Sequence, residues 1–237
     1  PGMENSPESL TTMDLVAAAS TDAMANAGIK ASDVDALIAV TITSPFYTTA
    51  VAARLAHVLG VQAPAFDLRT GCATGIFALV IAAQLIEGGA RHVLIAAGDT
   101  TSKILDPTNN TVYAGGDAGS AIVVSRSTGS AGMIAHYIDT DGTFSAQTGV
   151  PGLMPPTSAD LAAKRYYLEY KDEGKEAMLD RAWKRIPDEL YERSGLTAKD
   201  ITCYVPHQAA KRQLELAARE AGIPEARTVN VLGEYGN

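Results

Sequence analysis

The sequence predicts an α/β fold in which helices cover the sheets, built from two copies of one helix–strand–helix–strand unit. The main observation is a repeat: GIKASDV at 28–34 matches GLTAKDI at 195–201 at a constant offset of 167 residues. Each copy follows an amphipathic helix and runs into an apolar strand. A second observation is the continuous apolar run at 92–97, which is typical of a covered central strand. Chance recurrence is the alternative, because glycine commonly ends helices.

The first predicted helix spans residues 12–27, because a threonine precedes it, Asp14 lies in its first turn and Gly28 ends it. The other predicted helices are residues 49–59, 73–87, 176–193 and 208–221, and the predicted strands are residues 36–41, 63–68, 92–97, 121–125, 201–205 and 228–231. The helix at 73–87 is apolar nearly all round, which predicts burial on every side. Residues 140–160 are rich in Gly, Pro, Thr and Ser, so we predict two halves, 1–139 and 140–237.

Composition excludes several classes of protein. At 237 residues with 46% hydrophobic content, the chain is long enough to bury a substantial core. Its net charge of -8 argues against a nucleic-acid surface, which needs clustered Lys and Arg. Two widely separated cysteines argue against a disulfide framework and for a reducing compartment. Without a signal peptide or an apolar run of membrane-spanning length, we expect a soluble, cytoplasmic protein with no membrane partner. The histidine spacing indicates no metal site.

Cys72 lies between a predicted short strand and the apolar helix. A thiol at a helix N-terminus meets unpaired N–H groups and the positive end of the helix dipole, which favour the thiolate. The small neighbours Gly71, Ala73 and Gly75 leave room for a substrate carbonyl. The pattern therefore predicts a reactive nucleophile, and the alternative is a buried core cysteine.

His207 follows a predicted strand and precedes a helix. Because Pro206 ends strand hydrogen bonding, the imidazole is expected to emerge at the carboxyl edge of the sheet, where α/β active sites gather. A structural histidine is the alternative.

Three motifs in order carry a resemblance to a known family. Gly-Cys-Ala at 71–73, Val-Pro-His-Gln-Ala at 205–209 and Tyr-Gly-Asn at 235–237 resemble the Cys–His–Asn triad of the β-ketoacyl-acyl-carrier-protein synthase III enzymes. The intervals of 135 and 30 residues between the three side chains are also similar to that family's. Further similarities occur at 64–67, 106–108, 116–119 and 174–176. The resemblance covers essentially the whole chain and implies a thiolase-like duplicated αβαβα layered fold.

The resemblance also implies the chemistry. Cys72 would attack an acyl thioester and hold the acyl group, with its own backbone N–H as half of an oxyanion hole. His207 and Asn237 would donate hydrogen bonds to the thioester carbonyl of the second substrate. The expected reaction is decarboxylative Claisen condensation of an acyl-CoA with a malonyl group on acyl carrier protein. No cofactor is implied beyond these substrates, and a homodimer is expected.

Three further residues are implied in substrate binding: Arg212, Met178 and Gln208. Arg212 resembles the family's basic contact to coenzyme A or carrier phosphate, with a solvated helix face as the alternative. Met178 lies where the family has an aromatic residue that lines the pantetheine tunnel.

Departures from the family pattern keep rival functions open. Ala210 replaces the usual Asn, and Thr70-Gly71 replaces the common paired alanines, which suggests an unusual donor or acceptor. One rival is a thiolase-fold O- or N-acyltransferase of secondary metabolism with His207 as general base. Another is a catalytically silent partner subunit. By the same comparison the chain is expected to be truncated at both ends.

Overall fold

The computed structural model describes residues 10–109, 115–145, 148–152, 155–171 and 175–237. Those residues pack as two compact units. The first contains the described residues up to Lys103 together with Asp117–Met133, and the second contains those of Ile104–Gly116 and Ile134–Asn237. The predicted boundary between residues 139 and 140 refers to the two copies of the repeat, and it stays a prediction.

A twisted sheet is the centre of the first unit. Its strands are β1 (Ala36–Val40), β2 (Ala65–Leu68), β3 (His92–Thr100) and β4 (Asp117–Ser125), in the order β2-β1-β3-β4. β1 runs parallel to both β2 and β3, and β4 is antiparallel to β3. The carboxyl ends of the three parallel strands therefore meet at one edge of the sheet.

Helices cover both faces of this sheet. They are α1 (Thr12–Ala27), α2 (Val51–Leu59) and α3 (Thr74–Glu87). Because side chains alternate along a strand, Leu37 and Leu94 pack with the α1 and α2 side, whereas Ile38 and Ile95 pack with the α3 side. The predicted α/β layering is thus present within this unit.

The prediction that α3 is buried on every side is wrong for the described residues. Ala78, Ala82 and Ile86 pack against the sheet, but Ile76 is 55% exposed. The sheet covers a single face of the helix, so an apolar sequence by itself does not fix burial on the other face.

The geometry of the repeat confirms the internal match. Gly28 and Gly195 both adopt the left-handed conformation, with φ of 68° and 69°. Two residues after each glycine, a backbone N–H donates to an aspartate three positions on: Lys30 to Asp33 at 2.8 Å and Thr197 to Asp200 at 2.8 Å. The two copies therefore begin with the same local structure.

The second unit is mainly helical in the described residues. Its elements are α4 (Ser158–Ala162), α5 (Lys175–Ser194), α6 (Lys211–Glu220), α7 (Leu232–Tyr235), β5 (Thr148–Gly149) and β6 (Glu169–Tyr170), and the two short strands pair antiparallel. The phenol of Tyr191 on α5 donates to the carbonyl of Ala221 at 2.7 Å, which fixes α5 to the end of α6. No helix in the described part of the chain has the length and apolar content needed to cross a bilayer.

The predicted strands at 201–205 and 228–231 are reduced to one parallel bridge, between Tyr204 and Thr228. Two short extended segments without a third neighbour are marginal as a sheet, and among the described residues no other strand flanks them. Cys203 lies within the predicted strand at 201–205, and it is exposed for the same reason.

Candidate active site

Cys72 lies on the turn between β2 and α3, at the edge of the sheet where the parallel strands end. Gly71 immediately before it has φ of 73°, a left-handed conformation that residues with a side chain adopt at a cost. Cys72 forms no disulfide and the residue is exposed by area, so the alternative of a buried core cysteine is wrong. The turn therefore places Cys72 between a strand and a helix, as the sequence predicts, and at the carboxyl edge of the sheet.

The protonation of this thiol differs from the expectation. Burial raises the pKa of the Cys72 thiol, the Asp99 carboxylate raises it further, and a bond from the residue's own backbone N–H lowers it. Although the residue is exposed by area, enough protein surrounds the sulfur to desolvate the thiolate. α3 begins two residues later, at Thr74, and the desolvation outweighs the help expected from its N-terminus. The resting side chain is a thiol at neutral pH.

Asp99 organises the same edge. Its Oδ1 accepts four hydrogen bonds: from the hydroxyl of Thr41 at 2.8 Å, the N–H of Ile42 at 2.8 Å, and the N–H and hydroxyl of Thr43 at 3.0 and 2.8 Å. One carboxylate at the end of β3 thus holds the residues that follow β1. The same charge opposes ionisation of Cys72.

A buried set of hydroxyls ties this edge to α1. Thr12 Oγ1 lies 3.0 Å from Thr43 Oγ1 and 3.1 Å from Thr100 Oγ1. Thr12 and Thr100 are buried, and every hydroxyl of the set has a partner, as buried polar groups require. The loop after β1 is therefore held from two sides.

His207 lies in an irregular stretch between the bridge at Tyr204 and helix α6. Pro206 is buried, while His207 itself is exposed. Although the residue is exposed by area, the protein around the ring desolvates its charged form, which lowers the pKa of the His207 imidazole below its ordinary value of 6.5. At neutral pH the ring is therefore neutral, with one N–H to donate and one nitrogen to accept a proton.

The carboxamide of Gln208 bonds to main chain on both sides. Its Nε2 donates to the carbonyls of Pro206 at 2.9 Å and Val229 at 3.1 Å, and its Oε1 accepts from the N–H of Val231 at 3.0 Å. The side chain links the segment that carries His207 to the segment that leads to α7. This arrangement favours a positioning role for Gln208, and its predicted substrate contact stays a prediction.

Asn237 is held through its backbone. Its carbonyl accepts the N–H of Gly116 at 2.9 Å. A Cβ at Gly116 would overlap the carbonyl oxygen of Tyr235, so glycine is required where the two segments meet. Gly116, the first residue of the stretch at 116–119 that resembles the family, thus holds the Tyr-Gly-Asn segment in place.

The other predicted substrate-binding residues lie on helices of the second unit. Arg212 is exposed on the first turn of α6, and Met178 is half-buried on α5. Cys72 belongs to the first unit, whereas His207 and Asn237 belong to the second, so their convergence on one pocket stays a prediction.

Two residues of the Cys72 edge were missed from the sequence: Asp99 and Thr74, whose hydroxyl bonds to the nucleophile turn. A signal existed for Asp99, which is a lone carboxylate two residues after the predicted strand at 92–97. Within the described residues, no three His, Cys, Asp or Glu side chains come together as metal ligands would.

Comparison with known proteins places these features in a family. The family model described as 3-oxoacyl-[acyl-carrier-protein] synthase III matches residues 66–142, and the model of its C-terminal part matches residues 191–237. The β-ketoacyl-[acyl-carrier-protein] synthase III of Brucella suis is 34% identical over 241 residues, which cover 97% of this chain and 72% of that protein.

Solved structures of related enzymes also resemble this chain. The β-ketoacyl-[acyl carrier protein] synthase III of Thermus thermophilus superposes with a TM-score of 0.85 at 30% identity, covering 98% of this chain and 73% of that one. The priming β-ketosynthase of the R1128 polyketide pathway has a TM-score of 0.79 at 27% identity, covering 98% and 70%. These likenesses confirm the predicted fold class. This chain therefore belongs to the 3-oxoacyl-[acyl-carrier-protein] synthase III family of condensing enzymes.

Proposed function

We propose that this protein condenses an acyl-CoA with a malonyl group on acyl carrier protein, with release of carbon dioxide, through an acyl thioester on Cys72. The observation that carries the proposal is the position of Cys72, an exposed residue without a disulfide, on a glycine turn at the carboxyl edge of the parallel strands. Family membership supplies the reaction class. The names of the similar proteins specify the acyl carrier protein.

In the first half-reaction the sulfur of Cys72 attacks the thioester carbonyl carbon of acyl-CoA. A carbon–sulfur bond to Cys72 forms and the bond to the coenzyme A sulfur breaks. Because the raised pKa keeps Cys72 protonated, the thiol proton is passed on and ends on the departing coenzyme A. The backbone N–H of Cys72 stabilises the oxyanion of the tetrahedral intermediate.

In the second half-reaction the malonyl thioester loses carbon dioxide and becomes an enolate. His207 and Asn237 donate hydrogen bonds to its oxygen, and the neutral imidazole retains the N–H that this requires. The enolate carbon attacks the acyl carbonyl on Cys72, a carbon–carbon bond forms, and the Cys72 sulfur leaves and takes up a proton. No metal or redox cofactor takes part in this scheme.

Substrate contacts are assigned to the second unit. Arg212 projects from the exposed first turn of α6, where a guanidinium suits a phosphate of coenzyme A or of the carrier's pantetheine arm. Met178 contributes an adaptable apolar surface to the pantetheine channel. Gln208 acts beside His207.

The protein is further proposed to be a homodimer paired through β4. This nine-residue edge strand carries no charge between Ala118 and Ser125, and it leaves Ile122 51% exposed. Such an unprotected edge readily pairs with another strand. The mass of the protein in sedimentation equilibrium should be that of a dimer, and Ile122→Lys should give a monomer. A monomeric wild type would contradict this proposal.

Carbon dioxide release is the direct test of the condensation. Carrier protein loaded with carboxyl-labelled malonyl is mixed with a panel of acyl-CoA thioesters of different chain lengths. The wild type is expected to release one labelled carbon dioxide for each β-ketoacyl product, and Cys72→Ala is expected to form no product. If no donor leads to carbon dioxide release, the proposed condensation is refuted.

A second candidate keeps the acyl-Cys72 intermediate but transfers the acyl group to an alcohol or amine. Its support is the lowered pKa of His207, which leaves a neutral imidazole able to accept a proton, and the lost polar group at Ala210. An acyl adduct that forms on Cys72 and then persists in the presence of malonyl carrier protein would favour this candidate.

A further inference from the structure

The turn that carries Cys72 is closed by one hydroxyl. Thr74 Oγ1 donates to the carbonyl of Gly71 at 2.5 Å and accepts from the backbone N–H of Thr70 at 2.8 Å. The hydroxyl of Thr70 also donates to Thr74 Oγ1, at 3.2 Å. These bonds join the residues before the nucleophile to the residue that opens α3, and Cys72 lies inside the closed loop.

The backbone of the turn depends on the same partners. The carbonyl of Gly71 also accepts the N–H of Thr74 at 3.1 Å, and Gly71 holds the left-handed φ of 73°. Thr74 is only 2% exposed, so water does not replace its hydroxyl bonds. Thr70 and Gly71 are the two residues that depart from the common alanines. The hydroxyl contact of Thr70 with Thr74 and the left-handed conformation of Gly71 are the two features of the turn that alanine would not provide.

We propose that Thr74 is a positioning residue that fixes the Cys72 sulfur for attack by clamping the turn at 70–74. The inference rests on the proposed function insofar as Cys72 is the group that becomes acylated. Thr74 itself touches no reacting atom in this account. It acts by holding the two flanks of Cys72 in a single conformation.

Loss of the Thr74 clamp should lower the rate of Cys72 acylation, with little change in the binding of acyl-CoA. Nucleophilic attack needs the sulfur close to and aligned with the carbonyl carbon, and a misplacement of about 1 Å can cost on the order of a hundredfold. A loosened turn would leave the binding contacts of the second unit in place. The loss should therefore fall on the acylation rate constant, with the half-saturating concentration of acyl-CoA unchanged.

The test uses the pair Thr74→Val and Thr74→Ser, each in a Cys203→Ser background so that Cys72 is the sole thiol. Valine keeps the branched shape and removes the hydroxyl, whereas serine keeps the hydroxyl and removes a methyl. Rapid-quench mass spectrometry follows acyl transfer from acyl-CoA to Cys72. Thr74→Val should acylate at least about tenfold more slowly than the parent, and Thr74→Ser within about threefold of it.

A second pair keeps the test decisive if Thr74→Val does not fold. Gly71→Ala strains the turn at φ 73°, and Gly60→Ala strains the end of α2 at φ 75°, and a Cβ at either position meets no atom within 4 Å. The two changes should lower the melting temperature alike. Only Gly71→Ala should slow acylation.

Equal acylation rate constants for a folded Thr74→Val and Thr74→Ser would overturn the inference, as would equal rate constants for the two glycine variants. A parent that no thioester acylates would instead refute the proposed function. In that case alkylation of Cys72 by iodoacetamide decides the inference. Faster alkylation of the Ser variant than of the Val variant supports the clamp, and equal alkylation rejects it.

Discussion

Replacing Asp99 by alanine should destabilise the protein more than any ordinary surface change. Four donors lose their shared acceptor, at 2.8 to 3.0 Å in the structure. The hydroxyls of Thr41 and Thr43 can rotate to one another or to Thr12, and the N–H of Thr43 also donates to the Thr41 hydroxyl at 3.0 Å. The N–H of Ile42 is fixed by the backbone and loses its acceptor, which adds a loss of about 1 to 3 kcal/mol to the charge contribution that Asp99→Asn measures.

Asp99→Asn isolates the contribution of charge, because the amide oxygen still accepts. Its loss should be about 1 to 2 kcal/mol, since bonds to a charged group are roughly twice as strong as neutral ones. Asp117→Ala is the matched control from the same unit: its exposed carboxylate accepts from Ser102 at 2.9 and 2.6 Å, where water can substitute. That control should lose less than about 1 kcal/mol.

Urea denaturation followed by circular dichroism measures the free energy of unfolding of these variants. The expected order of stability is wild type, then Asp117→Ala, then Asp99→Asn, then Asp99→Ala. If Asp99→Ala and Asp117→Ala lose equal stability, Asp99 does not hold the loop after β1, and the account of this edge is wrong.

Three further predictions concern ionisation and the His207 segment. Because the Asp99 charge raises the Cys72 pKa, Asp99→Asn should lower the midpoint of the pH profile for iodoacetamide alkylation in the Cys203→Ser background, and an unchanged midpoint would contradict this. His207 should titrate below 6.5 by NMR. The folded protein resists protonation of His207, so the stability that the neutral ring contributes should be lost as pH falls through 6.5. His207→Gln should reduce this loss. Gln208→Leu removes three bonds to main chain and should cost about 2 to 4 kcal/mol, measured by urea denaturation, and a loss under about 1 kcal/mol would refute the link.

The start and end of α1 were predictable because their causes are local. Thr11 accepts from the N–H of Asp14, Asp14 bonds back to the N–H of Thr11, and Gly28 supplies the left-handed cap. Each contact spans three or four residues, so the sequence pattern contains it. The same holds for the Gly28 and Gly195 copies of the repeat.

The limits of β4 depend on packing between distant segments. The sequence predicts that the strand begins at residue 121, but it begins at Asp117 and pairs Gly119 with Gly98 of β3. A Cβ at Gly119 would lie 2.5 Å from the carbonyl oxygen of Leu15 on α1. Gly119, which precedes the predicted strand, is thus a strand residue that lets a helix approach closely.

The same difference between local patterns and contacts of distant segments applies to the candidate site. Cys72, His207 and Asn237 were singled out because short motifs mark them. Asp99 was missed because its partners Thr41 to Thr43 lie more than fifty residues away, and no local pattern records that contact. The raised pKa of Cys72 was missed because desolvation depends on the packed structure around the sulfur.

Intact-protein mass spectrometry of the Cys203→Ser protein after brief exposure to acyl-CoA tests the central claim most directly. The account predicts one added acyl group on Cys72, discharged on addition of malonyl carrier protein and absent from the Cys72→Ala variant. A protein that gains no acyl group from any acyl-CoA would contradict the account and favour a catalytically silent subunit. Equal acylation without Cys72 would also contradict it, because another residue would then carry the acyl group.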